Sequence, residues 1–427
     1  MSQTCIALLV AVSTAAFAQA EPDAGAVELL PADAGLTVEV GDAGTPIPPV
    51  SVTVPAPSLK VGFGEGVTFK HGEMKLQVRG RVQVQASSII PGASSTAHRS
   101  NAIVIRRARL AIKGDLPWHL SFNLQLAFAN QDMEADAPNV LRDFNVTWAP
   151  LRDLSVRFGQ MKVPFDVQRV ISSSSLQMVD RSLTTGEFNL DRDVGLVLFS
   201  DDLFGFGQRL RYSLGLFGGD GRNRIGTNVG LLYSARVRVS PLGEFDDKVE
   251  GDPDRDPRLR LAFGGGIARN IATNRPRSTT GTPFGVAAFN YTHATGDVHA
   301  KWNGFSLLSE VYWRQADLGT DANGAPSASI SGTVSGLSVT EYSRSGWGWF
   351  VQGGAYVLPW LELTARYGDL YPLGPTDPAL KRNREFGGGF NLMFFKHDLK
   401  VQSDVLWVDN GGANGRLQLR VQAQLYF

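Results

Sequence analysis

The last twelve residues, 416–427, alternate polar and apolar side chains. Leu417, Leu419, Val421, Ala423, Leu425 and Phe427 share one parity, and Arg416, Gln418, Arg420, Gln422 and Gln424 share the other. Successive side chains of a strand point to opposite faces, so the segment predicts a strand with one greasy face and one polar face. The same period-2 pattern recurs in 75–86, where Leu76, Val78, Val82, Val84 and Ala86 oppose Lys75, Gln77, Arg79, Arg81, Gln83 and Gln85. It recurs in 120–128, where Leu120, Phe122, Leu124, Leu126 and Phe128 oppose Ser121, Asn123 and Gln125. Further segments of this kind lie near 102–114, 141–149, 153–160, 193–200, 208–218, 231–240, 258–268, 295–303, 305–314, 347–357, 360–368, 384–395 and 396–407. With the terminal strand they number about sixteen, an even count that lets an antiparallel barrel keep both ends on one side. Lipid on one face and water on the other accounts for both parities. The predicted fold is therefore all-β, an about 16-stranded antiparallel transmembrane β-barrel.

The connections alternate in length, which supports the same topology. Short links such as 114–117, 149–152, 303–304, 357–359 and 396–397 separate long ones near 87–101, 130–140, 161–192, 219–230, 269–294, 315–346 and 369–383. Short turns at one rim and long loops at the other are the outer-membrane pattern. The segment 241–257 falls where a short turn is expected, so either the strand count slips there or the turn carries an acidic insertion. Trp118, Trp148 and Trp302 fall at strand ends by the short turns, and Trp313, Trp347 and Trp407 at ends by the long loops, all on the apolar parity. Two belts of amphipathic rings mark two membrane interfaces, whereas a soluble sandwich would bury its tryptophans mid-strand.

The N-terminus reads differently. Ile6 to Ala18 is apolar but shorter than the roughly 20 residues that a membrane helix needs. It reads as a secretory h-region with small-residue cleavage options at Ala16-Phe17-Ala18 or Ala18-Gln19-Ala20, although no Lys or Arg precedes it. The expected organisation is a signal peptide over 1–20, a disordered Ala/Pro/Asp-rich periplasmic linker over 21–60 and the barrel over 61–427. Cys5, the only cysteine, lies in the leader, so a mature chain has no disulfide and no thiolate metal ligand.

The 41 basic and 41 acidic residues cancel, but all six ionisable residues before Lys60 are acidic, so the body is about +6. With the polar parity inward, Arg79, Arg81, Arg107, Arg109, Lys113, Arg157, Arg209, Arg211, Arg236, Arg238, Arg258, Arg260, Arg366, Lys400, Arg416 and Arg420 face the lumen. The clearest acids there are Asp143, Glu310, Glu362, Glu385 and Asp404. Such a wall raises the local anion concentration and repels cations, and guanidiniums hold oxyanions in bidentate fashion. Any one arginine can instead be paired structurally with a loop acid. The long connection 161–192 supplies Lys162, Arg169, Arg181 and Arg192 beside Ser172-Ser173-Ser174-Ser175, cations and hydroxyls able to replace an anion's hydration. A serine run is also simply flexible chain.

No metalloprotease helix motif, Walker loop, nucleophile elbow or paired-cysteine spacing occurs, and Gly62-Phe63-Gly64-Glu65-Gly66 precedes a strand rather than a helix. The reading includes no enzyme activity, no catalytic residue, no metal, no cofactor and no nucleic-acid partner. Several motifs carry a family resemblance: Ile105-Arg106-Arg107-Ala108-Arg109-Leu110 with Lys113-Gly114, then Gly159-Gln160-Met161-Lys162-Val163-Pro164-Phe165. The stretch from Ser173 to Leu183, Arg192-Asp193-Val194-Gly195 and Gly304 to Trp313 continue it. From about 70 to 427 the chain resembles the phosphate-selective porins O and P, and its terminal strand ending in Phe427 resembles the assembly signal of outer-membrane barrels. The resemblance implies a bacterial outer-membrane location amid its lipid, a trimeric channel with an inward-folded constriction loop, and an arginine-lined path for small anions such as phosphate. Carried onto this chain, Lys162, Arg169 and Arg181 line the constriction and Arg107 and Arg109 the wall. It also implies that the barrel-assembly machinery recognises Phe427. The alternatives are a general or sugar porin, which would line its path with aromatic residues, and a non-conducting outer-membrane anchor.

Overall fold

The structure, a computed structural model, describes residues 56–92, 97–134, 138–224, 230–321, 323–409, 411 and 415–427. The expected signal peptide and nearly all of the expected linker lie outside the described residues. The wall is built of β1 (Met74–Pro91), β2 (Ser100–Leu116), β3 (Leu120–Ala127), β4 (Leu141–Trp148), β5 (Ser155–Lys162), β6 (Arg192–Ser200), β7 (Leu210–Phe217) and β8 (Leu232–Val239). It continues with β9 (Arg260–Thr273), β10 (Phe289–Trp302), β11 (Phe305–Ala316), β12 (Gly346–Leu358), β13 (Leu361–Pro372), β14 (Asn383–Phe395), β15 (Leu399–Asp409) and β16 (Arg416–Tyr426). Each strand pairs antiparallel with its successor, and β16 closes on β1 from Arg416↔Pro91 to Tyr426↔Arg81. Sixteen strands thus form a closed barrel with no free edge in the wall.

The period-2 pattern dictates which way the wall faces. Val84, Ile103, Ile105, Phe144, Phe158, Leu214, Val237 and Phe263 are exposed on the outside, whereas Arg81, Gln83, Arg107 and Arg109 are buried within. Trp118, Trp148 and Trp302 are exposed by the short turns, and Trp313 pairs with Trp347 near the opposite rim. A hairpin of Ser58–Gly62 and Gly66–His71 opens the described chain, slightly ahead of the expected barrel boundary. Its second strand pairs with β1 from Val67↔Val78 to His71↔Met74. It therefore follows β16 along the same edge of β1.

Two features depart from simple alternation. Opposite Gln83 and Val84, β2 presents Arg107 and Ile105, which leaves Arg106 as an extra residue; opposite Gln125 and Leu126, β4 presents Asp143 and Leu141, which leaves Arg142 extra. Such bulges bring two consecutive residues to one face. β10 begins earlier than its apolar pattern indicates, because Phe289 and Tyr291 point inward and pack with Ala287 and Ala316 beneath the long loops. Segment 241–257 is an inserted turn between β8 and β9, and the strand count does not slip there.

The lumen is largely filled. The 163–191 connection folds inward and packs Val163, Phe165, Val167, Ile171, Leu176, Phe188 and Leu190 against inward-facing Leu308, Tyr312, Phe350 and Leu370 of the wall. Burying a side chain of that size contributes roughly 1.5–3 kcal/mol, enough in sum to hold a loop of this length inside. Two short helices stiffen it: α1 (Val167–Val170), whose N-cap Asp166 accepts from the Arg169 amide, and α2 (Leu183–Phe188), whose N-cap Ser182 accepts from the Thr185 amide.

Candidate functional site

The inward loop leaves its open space against one arc of the wall. On the long-loop side lies a cavity of about 460 Å³ lined by Arg106, Arg107, Arg366, Arg416 and Arg420 of the wall, Asp180 of the loop and Arg222. On the short-turn side a cavity of about 170 Å³ is lined by Lys113, Asn123, Gln125, Asp143, Lys162, Ser172, Ser173 and Arg192. Both are also lined by Arg109, Arg142, Arg169 and Arg181, so these four guanidiniums form the partition between them. Lys162 borders the smaller cavity and a third of about 230 Å³, which is lined by Arg157, Arg211, Arg236 and Arg238 with Asp166, Asp201 and Asp247. The larger and smaller cavities thus meet across the four-arginine partition, and the smaller and third share Lys162.

Local structure explains how the partition is assembled. Arg109 follows from the strand alternation, Arg142 from the β4 bulge, and Arg169 and Arg181 from the loop. Asp132 binds the two wall arginines: Arg109 Nη2 donates to its Oδ1 at 2.7 Å, and Arg142 Nη1 lies 2.9 Å from the same carboxylate. Burial opposes ionisation of Asp132, but the bonds and charge of Arg109, and then the charge of Arg142, outweigh it and hold the carboxyl well below the usual range. Arg169 Nε donates to Asp191 at 2.8 Å. Arg192 Nε donates to Asp143 at 2.8 Å, and its Nη1 to Asp191 at 3.0 Å.

Three cations around the smaller cavity have no carboxylate partner among the described residues. Arg181 is held by backbone carbonyls, donating from Nε to Gln168 at 2.9 Å and from Nη2 to Ile171 at 2.6 Å. Lys162 Nζ donates to the carbonyls of Val170 at 2.7 Å and Ile171 at 3.2 Å. Lys113 reaches the smaller cavity without an ion pair. Among the described residues, seven cationic side chains face one acid, Asp143, around that cavity, and ten cations face four acids around the larger one.

The residues expected to line a path are thus distributed by the structure. Arg109, Arg169 and Arg181 stand in the partition, and Lys113 and Lys162 line the smaller cavity beside it. Arg107, Arg366 and Arg420 line the long-loop cavity, each with an acid: Arg107 with Asp180, Arg366 with Glu385 and Arg420 with Asp404. Arg157 lies over the Phe199 ring in the third cavity. There Arg211 pairs with Asp247, Arg236 with Asp297, and Arg238 with both. Arg81 backs the constriction through Ser173 Oγ at 3.1 Å. Arg79 pairs with Asp398 at the short-turn rim, and Arg209 is exposed in the turn before β7; neither lines these cavities. Of the serine run, Ser172 and Ser173 reach the cavity, while Ser174 accepts from Tyr426 at the wall.

Sequence reasoning missed Arg106 and Arg142, because a bulge adds a residue that strict alternation sends outward. It also underestimated how far loop acids neutralise the wall, since Asp132, Asp180 and Asp191 come from connections rather than strands. Among the described residues no group of three His, Cys, Asp or Glu side chains is placed to hold a metal ion.

Known proteins resemble the chain in sequence and fold. An uncharacterized protein of Aquifex aeolicus is 22% identical over 398 residues, 84% of this chain and 89% of that relative. The anion-selective porin from Comamonas acidovorans superposes with a TM-score of 0.53 at 14% identity, over 83% of this chain and 100% of that one. OprB of Pseudomonas putida superposes with a TM-score of 0.54 at 9% identity, over 82% and 94%. These two share the barrel fold. The family described as phosphate-selective porin O and P matches residues 76–338, and with that match the chain, a closed sixteen-stranded barrel with an inward loop, belongs to that family of outer-membrane porins.

Proposed function

We propose that this porin passes small anions, phosphate among them, by diffusion through the constriction at Arg109, Arg142, Arg169 and Arg181. The observation that carries the reading is the charge left unpaired in and beside it: Arg181 in the partition and Lys113 and Lys162 in the adjoining smaller cavity add positive charge that no carboxylate neutralises among the described residues. In a narrow passage with low-dielectric walls such charge acts at close to full strength, attracting anions and repelling cations. An anion gathers first in the long-loop cavity and then sheds water against guanidinium N–H groups and the Ser172 and Ser173 hydroxyls, which replace that hydration. Asp143 and Asp191 keep the constriction from holding the ion too tightly, since conduction needs a site weak enough to leave.

Among the described residues no aromatic side chain lines the two cavities that meet at the constriction, which disfavours the sugar-porin alternative. Assembly as a homotrimer belongs to the same proposal. An outer-wall groove lined by Ala86, Ser88, Ile103, Val405, Leu419 and Val421 offers an apolar face for a neighbouring barrel. The test is chloride current through the purified protein in a planar bilayer, titrated with phosphate. Phosphate should reduce the current in a saturable way, and Lys162→Gln should shift the titration to higher phosphate. Chloride current indifferent to phosphate would overturn the phosphate reading, and a folded barrel without current would favour the anchor.

A further inference from the structure

The inserted turn 240–259 enters the barrel from the short-turn rim instead of lying across it. Phe245 packs edge-to-face against His299 with ring centroids 4.8 Å apart. Lys301 Nζ donates to the carbonyls of Asp246 at 2.6 Å and Val249 at 2.7 Å, and the Gly304 amide donates to Asp252 at 2.9 Å. So fastened, the turn delivers Glu250 to the underside of the inward loop, where it has no exposed surface. Its carboxylate accepts from Gln168 Nε2 at 3.0 Å, the Gln177 amide at 2.8 Å and Gln352 Nε2 at 2.8 Å. Its own amide donates to the Ser175 carbonyl at 3.2 Å.

Those partners lead directly to the constriction. Gln168 precedes Arg169, and its carbonyl accepts from Arg181 Nε. Its side-chain oxygen accepts from the Ser182 amide and the Thr185 hydroxyl, so the amide cannot turn over without losing them. We propose that the 240–259 turn is an internal strut and Glu250 a positioning residue, which through Gln168 fixes Arg169 and Arg181 at the constriction. A buried carboxylate suits this role, because the two loop donors, Gln168 Nε2 and the Gln177 amide, would be left unpaired if the loop moved away. The selectivity part of the proposal rests on the anion-channel reading; the part concerning pore size does not.

The test compares single-channel conductance and the anion-to-cation permeability ratio of full-length wild type, Glu250→Ala, Glu250→Gln and Gln168→Ala, each first verified as folded by heat-modifiable migration. Glu250→Ala should raise conductance about twofold and reduce the permeability ratio severalfold as the two arginines lose their fixed places. Glu250→Gln should fall between, because it keeps an acceptor for Gln177 and Gln352 but sets an amide against the Gln168 amide. Gln168→Ala should reproduce the change, and the double variant should be no worse than either single one. Wild-type conductance and permeability ratio in folded Glu250→Ala and Gln168→Ala would overturn the proposal. If Glu250→Ala fails to fold, Gln168→Ala carries the comparison alone. A wild-type channel without anion preference would overturn the functional reading, while the conductance of the variants would still decide the strut.

Discussion

Asp132 shows how paired arginines can still leave surplus positive charge at the partition. It binds Arg109 and Arg142 together, so one negative charge fixes two positive ones and leaves a surplus beside the opening. Replacing Asp132 with Asn should therefore strengthen anion preference, read as a reversal potential further towards the anion limit. Thermal unfolding should show a loss of about 3–5 kcal/mol, as expected when one partner of a buried ion pair is removed. Asp166 makes a second residue-scale prediction. Burial pushes its carboxyl up to about 6, against the opposing charges of Arg236, Arg169 and Arg181, and the Tyr312 hydroxyl lies between it and Glu310. A carboxyl raised above its unfolded value of about 3.9 keeps more protons in the folded state, so its contribution is complete below that value and is lost as pH rises through about 6. Hydrogen exchange at the α1 hinge, corrected for intrinsic rates, should be slower at pH 5 than at pH 7.5, and Asp166→Asn should flatten the difference. Exchange independent of pH in the wild type would remove Asp166 as the titrating group.

At the scale of elements, glycine does specific work where the barrel meets the loop. Gly159 has φ of +122°, and a Cβ there would lie 2.2 Å from the Phe144 carbonyl oxygen. Gly159→Ala should destabilise the β4–β5 pairing by roughly 1–3 kcal/mol, visible as a lower temperature for loss of heat-modifiable migration; an unchanged temperature would contradict the strain. The strands themselves were legible in the sequence because lipid and water impose opposite demands on alternate residues, which is why Arg107, Arg109 and Arg420 could be placed inside from parity alone. Parity fails where the inside is not watery. Phe289, Tyr291, Leu308 and Phe350 face inward to receive the loops, so those stretches lose the expected contrast. It fails again at the bulges, which hid Arg106 and Arg142. Partners such as Asp180 and Arg107 stand 73 residues apart, and no local pattern joins them.

In the whole molecule, two connections entering from opposite rims divide the lumen. The inward faces of β9–β16 are mostly buried, with His299, Glu310, Gln352, Glu362, Lys400 and Gln402 almost without exposed surface. The open space that remains is lined by β13–β16 and β2 on the long-loop side and by β2–β8 nearer the short turns, where the cations of the loop and the wall converge. On the proposed path, selectivity depends on a few fixed charges rather than on the average charge of a wide pore, which would let a chain of zero formal net charge favour anions. The most direct measurement is the zero-current potential of the wild-type channel across a bilayer with a potassium chloride gradient. A potential of the sign set by chloride permeability is predicted, and one set by potassium would contradict the basic constriction as the selectivity element.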